Sequence, residues 1–281
     1  MSSRRNFLQK TVLSLVGSVT VPFISTAAYS DLHSVKKESR FRVGIAGYTF
    51  VKFELDQAIA MMKRLNLTYL SLKDKHLPLN STDEKIRSVV NQCTEGNIKI
   101  YTVGVIYMKT KQSVDEAFEY ARKVGVDMIV GVPNYDLLDY AEEKVKAMNI
   151  KLAIHNHGPE DALYPSPQNV YDRIKNKDLR MGLCMDIGHA VRAGADVVKS
   201  IKEYKDRLFD MHIKDVTGAY KDAKAIEIGR GVIDFPALVK TLDKINYKGI
   251  CSIEFEKDMT DPLPGLAESV GYLKGAMVSV S

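Results

Sequence analysis

The sequence predicts an α/β protein built as a single (β/α)8 TIM barrel, and three observations predict it. Short β-rich apolar runs alternate with stretches of helical spacing, and eight such units recur about every thirty residues. The 281 residues less the first 40 leave 241, close to the ~250 that such a barrel takes. No GxGxxG follows the first apolar run, which argues against an open, doubly wound sheet.

The strands are expected at 41–46, 68–72, 98–105, 127–132, 151–155, 181–186, 208–213 and 250–254. Between them, Leu55, Ala58, Met62 and Leu65 fall on one helical face, as do Val114, Ala117, Tyr120 and Ala121. Asp234 is placed to cap a helix that carries Pro236 in its first turn. Gly96, Gly125 and Gly249 each precede a strand and are expected to end a helix in the left-handed conformation. Residues 266–281 supply the closing helix. No repeat, low-complexity run or linker marks a second domain, so the barrel is assigned to 41–281.

Residues 1–30 read as an address rather than as fold. Arg4-Arg5 and Phe7-Leu8 precede an apolar run over 11–28, and the segment ends in Ala28-Tyr29-Ser30. The paired arginines resemble a twin-arginine signal, which implies export to a bacterial periplasm and a cofactor loaded beforehand. An uncleaved anchor is the alternative, weakened by Gly17, Pro22 and the Ser/Thr content. No stable membrane insertion is expected once the signal is removed.

Of the net charge of +5, three positive charges sit in those thirty residues. The remaining +2 gives no electrostatic case for nucleic acid. Cys93, Cys184 and Cys251 lack CxxC spacing, and Cys184 and Cys251, on inner strands, are read as small apolar packing groups.

The polar residues collect where a barrel does chemistry, at the C-terminal ends of strands. His76, His155, His157, His189 and His212 all fall at or just after a strand end; only His33 lies outside. Four consecutive strands end in His155, Asp186, His212 and Glu254. A lone histidine there is most simply a hydrogen-bonded structural residue. Four imidazole and carboxylate groups side by side suit one divalent cation such as Mn, Co, Zn or Mg.

These residues carry a family resemblance. Asp186-Ile187-Gly188-His189, His212-Ile213-Lys214-Asp215, Gly229-Arg230-Gly231 and Ser252-Ile253-Glu254 resemble the xylose-isomerase-like TIM barrels. That superfamily holds sugar isomerases, ketose 3-epimerases, inosose dehydratases and apurinic endonucleases. The resemblance implies one divalent metal on Asp186, His212 and Glu254, with His189 on substrate oxygens. The fourth position departs: His155 stands where epimerases carry a glutamate. The resemblance implies a metal-stabilised enediolate, hence a sugar isomerase or epimerase acting on a non-phosphorylated sugar or keto-sugar. With His155 in place of an acid, one strong base remains, Glu254 or Glu256, and His157 or Glu160 are candidates for the lost one. One base plus a Lewis acid also suits a keto-sugar dehydratase or lyase, the second reading.

Around this core, Lys214 shares the strand face of His212 and is placed to steady an enediolate oxygen. Lys73, His76 and His157 are candidates for substrate contacts, and Arg230 for a loop residue placed over the site. Asn156 and Asn134 are candidate supporting donors. Tyr48, Tyr101 and Tyr107 are read as core packing, with stacking on a sugar face as the alternative. A phosphorylated substrate is disfavoured by export and by the lack of a phosphate-cradling glycine loop. A non-enzymatic sugar-binding barrel would want more stacking rings than a chain with no Trp and 8% aromatics offers. The implied partner is a small carbohydrate, and a homodimer through the outer helices is a further expectation.

Overall fold

The structure is a computed structural model that describes residues 41–279. The expected signal segment, residues 1–30, lies outside the described residues. The chain enters through β1 (Arg42–Ala46), whose last four residues are buried, then forms α1 (Leu55–Arg64) and β2 (Tyr69–Leu72). α1 starts in a capping box in which Glu54 and Gln57 satisfy each other's backbone N–H groups. α2 (Asp83–Glu95), capped by the Thr82 hydroxyl, leads to β3 (Lys99–Met108). α3 (Lys111–Val124), β4 (Met128–Pro133), α4 (Leu138–Met148) and β5 (Lys151–His155) continue the alternation.

α5 (Pro167–Ile174) and β6 (Met181–Asp186) follow, then α6 (Ile187–Arg192) and α7 (Val197–Tyr204) before β7 (Leu208–Ile213). An unexpected hairpin of two-residue strands, β8 (Asp215–Val216) and β9 (Ala225–Ile226), projects beyond β7. α8 (Phe235–Lys244) has the expected Asp234 cap, accepting from Ala237 N at 2.9 Å. β10 (Ile250–Ile253) and α9 (Leu263–Ser279) close the chain.

Eight parallel strands form a closed barrel in the order β1-β10-β7-β6-β5-β4-β3-β2, ringed by helices, a single (β/α)8 TIM barrel. Closure leaves no exposed sheet edge in the barrel. Strand residues are buried on both faces, as in β6, where all six are. Most of the apolar core lies between strands and helices, whereas Met128, Val130, Ala153 and Cys184 form a small cluster of their own. All three cysteines are buried free thiols.

Of the three glycines expected to be left-handed, only Gly125 is, at φ +85. Gly96 keeps a right-handed φ of −71, and the neighbouring Asn97 makes the turn at φ +58. Before β10 the left-handed residue is Asn246, at φ +58, not Gly249. Asparagine visits this region more readily than other side chains, so it competes with glycine for helix ends.

Candidate functional site

Each site residue stands where a strand runs out. β5 ends on His155, β6 on Asp186 and β7 one residue past His212, while Glu254 follows β10 directly. β5, β6, β7 and β10 are consecutive around the barrel, so the four side chains converge. Asp186 does two jobs. It ends β6 and caps α6, with Oδ1 accepting His189 N at 2.8 Å, which leaves buried Oδ2 facing the cluster with only an ion pair to Lys214 and no well-directed hydrogen bond. Asn156 clamps the same residue, donating to Asp186 O at 2.9 Å and accepting from Asp186 N at 3.0 Å.

One ligand atom each from His155, Asp186, His212 and Glu254 lies within 4.8 Å of all the others. His155 Nε2 is 3.0 Å from His212 Nδ1 and 3.6 Å from Asp186 Oδ2, and His212 Nδ1 is 3.4 Å from Glu254 Oε1. Tetrahedral ligands at ~2.1 Å from a zinc-sized ion stand about 3.4 Å from one another. The donor set and these edges fit a divalent metal. All four residues are buried.

The charges are interlocked through Lys214. Its Nζ lies 3.1 Å from Asp186 Oδ2, 2.6 Å from Glu254 Oε2 and 2.9 Å from Glu256 Oε1. With the three carboxylates ionised and the imidazoles neutral, the cluster carries a net −2, the charge that a dication neutralises. Burial alone would raise the carboxyls of Asp186 and Glu254, but the ammonium overrides it and holds both well below the usual range. The same carboxylates push Lys214 far above an ordinary lysine despite its burial. Burial keeps His155 neutral, with a pKa of about 4, so its lone pair is available to a cation. Burial opposes a proton on His212 too, but there Glu254 prevails and the pKa rises. Glu256 is raised, mainly by burial.

Above the cluster opens a cavity of about 310 Å3, lined by Lys73, Tyr107, His157, His189, Glu254 and Glu256 among others. Lys73, one residue past β2, lines it, and nearby β3 breaks register with β4 between Val103 and Ile106. Gly104, at φ +150, packs so close to Val130 O that a Cβ would sit 2.2 Å from it. The next residue's carbonyl, of Val105, accepts from Lys73 Nζ at 3.2 Å. His157 stacks on Tyr107 and bonds its hydroxyl at 3.0 Å. Burial lowers His157, and takes His189 down to about 4.

Two expected contacts are not brought to the cavity. His76 is buried with Nε2 on Phe53 O at 3.2 Å, a hydrogen-bonded structural histidine. Arg230 pairs with Glu268 of α9 through two bonds of 2.5 and 2.7 Å. The Gly229-Arg230-Gly231 turn instead serves the buried carboxylate of Asp215, which accepts from Val216, Gly229, Gly231 and Ile233 N–H groups. Glu160 is tied to Arg192. Tyr48 and Tyr107, read as core, are 40% and 50% exposed at the cavity, where open strand ends expose aromatic rings. Tyr101 points to the other end of the barrel and bonds Asp210.

Known proteins share the sequence pattern in part and the fold. An inosose dehydratase from Clostridium perfringens is 31% identical over 110 residues, 33% of this chain and 37% of that protein. A 3-keto-D-glucoside 4-epimerase from E. coli superposes with a TM-score of 0.68 at 16% identity, covering 84% of this chain and 99% of that one. The IOLI protein, solved with a bound zinc atom, gives 0.67 at 17%, covering 85% and 98%. The chain spans half or less of the length of the curated relatives it matches. The profile of the xylose isomerase-like TIM barrel matches residues 52–276, more than half of the chain, and the protein belongs to that family.

Proposed function

We propose that this protein is a divalent-metal-dependent sugar isomerase or epimerase acting on a non-phosphorylated sugar or keto-sugar. The observation that carries the reading is the convergence of His155, Asp186, His212 and Glu254 beneath a cavity of about 310 Å3. When bound, a dication on those four residues supplies a Lewis acid that polarises a substrate carbonyl.

The rest of the chemistry belongs to the chain. Glu256 lines the cavity with its carboxylate steadied by Lys214 at 2.9 Å, and takes the proton from the carbon next to the carbonyl. His157 lines it too, just past the end of β5 and three places from β10 around the barrel; in its protonated form it gives its own proton on the far side, and exchange with solvent resets both groups. Glu160, committed to Arg192, is the weaker candidate for that role. His189 bonds a substrate hydroxyl, Lys214 steadies developing negative charge, and Tyr107 gives the sugar an apolar face. Lys73, the one lysine or arginine among the described residues that lines the cavity, is held by Asp74 at 2.7 Å, which suits an uncharged ligand better than a phosphate.

A keto-sugar dehydratase is the second reading, favoured by His155 at a position where a carboxylate would supply a second base, and in keeping with the inosose dehydratase relative. The proposal places the enzyme in the periplasm, on the strength of Arg4-Arg5 and the apolar run after them. The test begins with metal content. About one dication per chain is expected, lost in Asp186→Ala, with turnover abolished in Glu254→Gln. Free aldoses, ketoses and 3-keto-sugars are then screened in deuterated water. Deuterium retained in a product of equal mass formula supports isomerase or epimerase; loss of water with a conjugated carbonyl supports the dehydratase. Full metal and turnover in both variants would overturn the assignment.

A further inference from the structure

At the opposite, N-terminal end of the barrel lies a larger cavity, of about 820 Å3. Five of the eight barrel strands enter it beside an exposed cation: Arg42 at β1, Lys99 at β3, Lys151 at β5, Lys205 ahead of β7 and Lys248 ahead of β10. One carboxylate, Asp127, lines the same space. None of the five cations has a carboxylate partner among the described residues. Arg42 lies 5.0 Å over the ring of Tyr69, and Lys151 Nζ 5.5 Å from that of Phe209, contacts that orient a cation without neutralising it.

Elsewhere on the surface unpaired lysines such as Lys52, Lys85 and Lys240 also occur, but scattered, and other cations are paired. Arg87, Arg122, Lys146, Lys175 and Arg230 are each paired with an acid. Even Arg180, just ahead of β6 at the same end of the barrel, is bonded to Asp178 at 2.8 Å. What sets this end apart is that five such cations face one concavity lined by a single carboxylate. A cleft walled by one sign of charge focuses the field and concentrates counter-ions.

We propose that this basin is a second binding site, for a small, soluble organic anion bearing several phosphate, sulfate or carboxylate groups. The recess favours a small ligand over an anionic membrane, because a flat surface reaches the rim but not the interior. The aromatic floor suits a ligand that carries a ring beside its charges. The site is separate from the catalytic end and does not depend on the reaction assigned there.

The test uses 1,3,6,8-pyrenetetrasulfonate, a fluorescent tetra-anion that does not strip metals, titrated onto the metal-loaded protein. Saturable binding of one probe per chain is expected, weakening with salt. The triple variant Lys99→Gln/Lys151→Gln/Lys248→Gln should weaken it about tenfold or more, with metal content and turnover unchanged. Magnesium-saturated tripolyphosphate should displace the probe. Non-saturable binding, equal affinity in the triple variant, loss in Lys73→Gln instead, or displacement only by phosphatidylglycerol vesicles would each overturn the proposal.

Discussion

At the C-terminal end of the barrel Lys214 is buried among three carboxylates, whereas at the N-terminal end Lys99, Lys151, Lys205 and Lys248 stand exposed around a cavity with one. The two ends hold the same kind of charge, and its environment decides what it does. Buried beside Glu254 at 2.6 Å, an ammonium has little water to compete with its partners, so each charge there is needed by the others. On the open rim water and salt screen the cations from one another. The first arrangement stores coupling within the protein, and the second leaves charge available to something else.

Lys214→Met tests the buried end and should have the largest effect. It leaves Asp186, Glu254 and Glu256 without their cation. Without metal the loss should be about 3–5 kcal/mol, a fall of roughly 10 °C in Tm for a chain of this size. Added dication should restore much of it, because it supplies the missing positive charge. A variant as stable as the wild type in chelator would break the comparison. Asp215→Ala ranks next. It deprives four backbone N–H groups of a buried acceptor and should cost about 2–3 kcal/mol. Faster hydrogen exchange over residues 227–233 would localise the damage.

These two residues also show what was legible beforehand. The strands 151–155, 181–186 and 208–213 match the structure at both ends, because each is a short, mostly apolar run with a His or Asp at or next to its last residue. Strand ends of a barrel meet on one rim, so the convergence of His155, Asp186, His212 and Glu254 follows from strand order. What the sequence could not convey is which distant side chain answers a charge. Arg230 meets Glu268, 38 positions on, and no local pattern encodes that pairing. His76 obeyed the strand-end rule yet turned to the Phe53 carbonyl. The hairpin of β8 and β9 has strands too short for any periodicity to register. The basin at the N-terminal end stayed invisible because its cations are spread over more than two hundred residues and gather only when the barrel closes.

His76 supplies a smaller effect, read through pH. Burial lowers its pKa below the ordinary value, outweighing the Phe53 carbonyl that favours the proton. The unfolded chain therefore binds a proton that the folded chain refuses. Its stabilising contribution is complete above the unfolded pKa of about 6.5 and shrinks as pH falls toward the lower folded value. His76→Gln, which keeps a donor for Phe53 O, should flatten that part of the stability profile. An unchanged slope between the two proteins would remove the assignment.

The smallest effect is expected at the exposed rim, and it sharpens the contrast most. Replacing Lys99, Lys151 and Lys248 together by glutamine removes three charges that repel one another and pair with no acid among the described residues. Tm should stay within about 2 °C of the wild type, and the change should be upward at low salt. Salt should erase it, since the repulsion being relieved acts through water. A marked fall would mean that these lysines stabilise the barrel, as Lys214 does. A rise that persists in molar salt would point to packing rather than charge. Set beside Lys214→Met, three lysines removed at one end should disturb the fold less than one at the other.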